Sequence, residues 1–130
     1  MNAEETATRL AGKLMQLTTS GKVTWVDAGQ LGAWGEGPGQ AFKAEFEDGQ
    51  FAQIAEVPVP RSVMTSYYFG VLDGSREVFE VFAEGVPAEP TPQQREMWRA
   101  LKGLYGAARD SARGTRQKVE KFEQLLERLA

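Results

Sequence analysis

The sequence contains no cysteine and no histidine in its 130 residues. Without cysteine there are no disulfides, no thiolate nucleophile, and no cysteine-held zinc or iron–sulfur centre. Without histidine the commonest general base and the commonest imidazole metal ligand are also gone. Carboxylate-only chemistry and magnesium binding stay open, but most enzyme classes lose their reagents. Long apolar runs are missing too: nothing approaches the ~20 residues of a membrane span. The opening "MNAEETATRLAGK" is acidic at its start and lacks an apolar stretch. No signal peptide is expected, and a cytoplasmic location is the default. Net charge is −3, which argues against bulk binding to nucleic acid or anionic membrane by the whole molecule.

An apolar fraction of 42% is enough for a packed core at this length, and residues 1–130 fit a single domain. A first helix is expected over 3–19. Asn2 is placed to cap it with Glu5 three residues on, and Gly21 supplies the stop. Ala7, Leu10, Leu14 and Leu17 form its apolar stripe. Residues 22–83 alternate like strands: "KVTWVDA", then a hairpin turning at Asp48-Gly49, then a second turning at Asp73-Gly74. The last strand of the second hairpin is apolar on both faces, which places it centrally or under a helix. "PVPRSVMT" between the hairpins reads as an edge or loop, because proline cannot donate to a ladder. A linker over 84–91 ends in a helix start: Thr91 as cap, Pro92 first in the helix, Gln94 third. The fold class is therefore α+β: an N-terminal helix, a five-stranded antiparallel meander and a long C-terminal helix over 92–129.

The C-terminal helix carries two stripes. Trp98, Leu101, Tyr105, Ala108, Ala112, Thr115, Val119, Phe122, Leu126 and Leu129 hold one heptad phase, straight through Gly114. Unbroken phase favours one continuous helix roughly 55 Å long, more than a small sheet needs as cover. Part of that seam is expected to meet a second copy, with Trp98, Leu101, Tyr105, Val119, Phe122, Leu126 and Leu129 as dimer contacts. A hinge at "DSARG" is the alternative reading. Arg95, Arg99, Lys102, Arg109, Arg113 and Arg116 make the second stripe. From Thr91 onward nine basic residues stand against five acidic ones, a local +4 that leaves −7 for the rest. This stripe is a solvated flank meeting acidic strand residues (Glu45, Glu47, Glu77, Glu80), a surface for an acidic protein, or a phosphate-binding row.

The segment "GQLGAWGEGPGQ" (29–40) looks most like a ligand loop, yet it fails the tests. No lysine followed by serine or threonine completes a phosphate loop. Gly35, Gly37 and Gly39 do not match the dinucleotide spacing, and Pro38 removes an amide donor. It reads as a connection, with Trp34 either folded inward or displayed as a binding anchor. Glu45 and Glu47 share a strand face as a carboxylate pair, but no other ligands converge on them. No cofactor or metal is expected.

The helix, the "GKVTW" strand, the hairpins and the "LYGAAR" closing helix resemble the layout of small bacterial and phage proteins. That resemblance implies no activity. In size and acidity the chain is also similar to type III secretion chaperones, which dimerise and hold an effector segment. It departs from them in mid-sequence, where "PVPRSVMTSYY" stands in place of a helix. The sequence thus reads as a non-catalytic protein-interaction module, homodimeric through its last helix. Alternatives are a nucleic-acid-binding accessory protein using the arginine stripe, and a small acidic chaperone or immunity-type protein.

Overall fold

Side-chain caps fix the starts of the first two α-helices. In a computed structural model that describes residues 2–29, 40–58, 64–85 and 89–130, α1 spans Ala3–Thr19. The Asn2 side chain accepts the Glu5 backbone N–H at 2.8 Å, satisfying one of the amides a helix leaves unpaired at its start. The buried line of α1 is Ala7, Ala11 and Thr18, with Leu10 and Leu14 packed beside it. Leu17, expected inside, is 39% exposed. Two buried alanines suit the packing of α1 against a neighbouring helix, and Thr18 rather than Leu17 completes its inward line.

The strands are β1 (Val26–Gly29), β2 (Ala41–Glu45), β3 (Gln50–Pro58), β4 (Thr65–Asp73) and β5 (Arg76–Ala83). They pair in chain order, all antiparallel, as the meander expected. In the β2–β3 turn both Asp48 (φ 62°) and Gly49 (φ 76°) take positive φ, the conformation that Asp-Gly tolerates and most residues resist. Register aligns Phe42, Ile54, Phe69 and Val81 in one row across four strands, all buried.

One strand expectation needs correction and another resolves between its two alternatives. "KVTW" is not ladder-bonded, and β1 begins only at Val26. Val23 and Trp25 alternate inward as read, but the Trp25 backbone N–H donates to Ser111 Oγ at 3.0 Å instead of to a strand. A helix side chain has taken the donor that a ladder would have used. Of the two placements expected for the doubly apolar strand, β5 takes the second: it lies under the helices, at the edge of the sheet rather than in its centre. Val81 and Ala83 face the core under the helices, while Val78 and Phe82 are 61% and 37% exposed on the other side.

Helix α2 (Pro92–Arg113) starts with the expected reciprocal cap: Gln94 N–H donates to Thr91 Oγ1 and Thr91 N–H to Gln94 Oε1. It crosses all five strands on one sheet face, and α1 packs beside it. Met97, Leu101, Leu104, Tyr105 and Ala108 are its buried side chains. The helix does not continue to Leu129. Gly114 adopts the left-handed conformation (φ 63°, ψ 34°) and ends α2, and α3 (Thr115–Leu129) begins at the next residue. Glycine reaches that conformation without the Cβ clash that would hold other residues in the helix. The heptad count survives in the sequence because the break consumes no extra residue, but the direction of the chain does not survive it.

Candidate interaction surface

The heptad seam divides at Gly114 into a spent half and an unspent half. Leu101 (0% exposed) and Tyr105 (5%) belong to the domain's own core. The Tyr105 ring packs 5.6 Å from Phe42 and 5.7 Å from Tyr67, centroid to centroid. Trp98 is partly buried, its ring 5.9 Å from Tyr67 and its indole N–H donating to the Thr65 carbonyl at 2.8 Å. Leu101 and Tyr105 are thus taken up by the domain's own core, and Trp98 packs onto that core while keeping part of its surface exposed. Beyond the break the position reverses. Val119, Phe122, Leu126 and Leu129 are 49%, 59%, 50% and 75% exposed, and Leu125, which the heptad reading passed over, joins them at 46%. Apart from α2 across the break, α3 has no substantial packing partner among the described residues.

Sequence reasoning also missed Met97 and Leu104, both buried. They sit a heptad apart beside the Leu101–Ala108 line. A seam of two positions per heptad suits a helix with one neighbour. Because α2 meets the sheet below and α1 alongside, its apolar arc is wider. The apolar character of Met97 and Leu104 was the available signal.

The arginine stripe is not one free row. Arg95 and Arg99 line a cleft of about 220 Å³ with Met64, Glu84, Pro90 and Trp98. Lys102 Nζ lies 5.1 Å over the Trp98 ring. Arg109 lies 5.9 Å over the Tyr105 ring and 3.7 Å from Asp110, and Arg113 donates to Gln40 Oε1 at 3.1 Å. The side chain of Arg116 lies outside the described part, as does Trp34. The four acidic residues expected beside the stripe do not meet it. Strand alternation puts Glu45 and Glu80 on the sheet face turned away from α2, the register shift at Val71/Leu72 sets Glu77 opposite Leu72 on that same face, and Glu47 lies in the β2–β3 turn. Glu45 pairs instead with Lys43 at 3.2 Å. Among the described residues no group of three acidic side chains is placed to hold a metal ion, and no helix is long and apolar enough to cross a membrane.

The face away from the helices has its own small cluster: Ala41, Ala55 and Tyr68, with Ala28 against them. Tyr68 lies back over Gly70, where a Cβ would collide with its hydroxyl, and donates to Glu80 Oε2 at 3.0 Å. Burial raises the Tyr68 pKa well above its ordinary value; the hydrogen bond to Glu80 and the charges of Glu80 and Glu77 raise it further. Tyr105 is shifted the same way, first by burial and then by the Glu56 charge. A raised folded-state pKa means that the folded chain holds its phenol protons where the unfolded chain releases them. This contribution is complete below the unfolded value, near pH ~10, and declines as pH rises above it. Tyr68→Phe is expected to cost about 0.5–1.5 kcal/mol near neutrality, the usual worth of a hydrogen bond. The gap between variant and parent then narrows above pH ~10, as the parent alone loses the Tyr68 contribution. Urea unfolding between neutral and alkaline pH measures this; a gap that widens would contradict it.

No family model, curated protein or solved structure matches this chain.

Proposed function

We propose that this chain is a non-catalytic protein-interaction module that self-associates through α3. The observation that carries this reading is the apolar band of Val119, Phe122, Leu125, Leu126 and Leu129, each 46–75% exposed on a helix whose other positions are mostly charged or polar. Single exposed apolar residues are ordinary, but five on one helical face are a surface awaiting cover. The helix has 15 residues, a length at which an unsupported helix is marginal in water. Packing against an identical band supports both helices at once and closes the assembly at two copies. The arginine stripe contributes less to this reading, because Lys102, Arg109 and Arg113 already engage Trp98, Tyr105 and Gln40.

Light scattering and sedimentation equilibrium test the reading directly. At tens of micromolar the parent is expected at twice its 14.3 kDa chain mass. Phe122→Glu with Leu126→Glu is expected to return it to the single-chain mass with its circular dichroism retained, since neither residue is in the core. A parent that stays at the single-chain mass overturns the proposal.

A further inference from the structure

We infer that the two α3 helices pair parallel and in register, with Lys118 of each copy against Glu123 of the other. This rests on the self-association proposed above and adds the geometry of the partner. The exposed band sets the heptad phase: Val119 and Leu126 at a, Thr115, Phe122 and Leu129 at d. Lys118 and Leu125 then fall at g, and Glu123 and Ala130 at e. In a parallel pair each g position faces the e position five residues further along the other helix. Lys118 therefore meets Glu123 of the second copy, twice by symmetry, and Leu125 meets Ala130, apolar beside apolar.

The antiparallel alternative fills the seam equally well, with Val119 opposite Leu129 and Phe122 opposite Leu126. Its flanks differ. There e faces e, so Glu123 lies beside its own copy and Lys118 loses its acidic neighbour. Like charges so placed repel, and flanking charges are what set orientation in such pairs. Within the single chain both groups are uncommitted: Lys118 and Glu123 are exposed, and neither has an ion-pair partner among the described residues. Charge complementarity thus selects the parallel pair.

The absence of native cysteine makes the test clean. In the parallel pair the two copies of residue 129 face each other within disulfide reach, Cα atoms about 6 Å apart. In the antiparallel pair they are separated by about ten residues of rise, ~15 Å, which no disulfide spans. The Leu129→Cys variant, oxidised at concentrations where it is dimeric, is expected to become a covalent dimer on non-reducing gels. Adding Phe122→Glu is expected to abolish the cross-link. Separately, Lys118→Glu and Glu123→Lys are each expected to weaken dimerisation about tenfold, and the double reversal to restore it. A dimer by scattering without a cross-link, or a double reversal no tighter than the single variants, overturns the parallel geometry while leaving self-association standing. A parent that is monomeric throughout overturns both.

Discussion

Leu101→Ala is expected to lower the free energy of unfolding by about 2–5 kcal/mol. Leu126→Ala, in protein kept dilute, should change it by less than about 0.5 kcal/mol. The two leucines stand in the same heptad phase, and no rule of periodicity separates them. Leu101 is fully buried between sheet and helix, so truncation loses its transfer free energy and leaves a cavity whose walls relax only in part. Leu126 is half exposed on α3, and in the single chain it has little contact to lose. Denaturant melts of both variants, compared with the parent, decide the matter. Similar losses at the two positions would mean that α3 packs on the domain and that the division of the seam at Gly114 is wrong.

Trp25→Ala should be the costliest single change, about 3–5 kcal/mol, the range for removing a buried aromatic. Trp25 is 2% exposed, and its indole N–H donates to Thr18 Oγ1 at 2.8 Å in the buried interior. Its backbone N–H holds Ser111 near the end of α2. One residue thereby joins the last turn of α1, the approach to β1 and the last turn of α2. Its loss empties volume at the junction and removes the indole donor from the Thr18 hydroxyl, which keeps only its own bond to the Leu14 carbonyl at 2.7 Å. A milder Trp25→Phe should recover part of the packing but not the hydrogen bond. A loss below about 1 kcal/mol for the alanine variant would show that the junction is held from elsewhere.

The features legible in the sequence were those written in local chemistry. Asn2 with Glu5, Thr91 with Pro92 and Gln94, and Asp48-Gly49 each act within four residues, so spacing alone reveals them. The β2–β3 and β4–β5 pairings followed from tight Asp-Gly turns that leave those strands nowhere else to pair. What stayed hidden depended on which element meets which. Periodicity shows that Tyr105 and Phe122 share a face, but not that Phe42 and Tyr67 already occupy the space against Tyr105. Met97 and Leu104 are inside because α2 has neighbours on two sides, a fact about the assembled layers. Gly114 was ambiguous for a further reason. A glycine is tolerated within a helix at about 1 kcal/mol relative to alanine, and the same glycine is the best residue to end one.

The sheet margins narrow the ways in which this protein can associate. An open sheet offers unpaired backbone donors and acceptors along both rims, an invitation to recruit another chain's strand. Here β1 is only four residues long, and its pairing is irregular between Asp27 and Gly29, so that rim offers little template. The opposite rim, β5, carries Arg76, Glu77 and Glu80 among its apolar residues and pairs irregularly where Leu72 meets Glu77, charge and irregularity that hinder an incoming strand. Both rims therefore guard against growth by strand addition and the fibrous aggregation that follows from it. The contact proposed through α3 would instead join helices, whose backbones are already satisfied and whose contacts can stop at a defined number of copies.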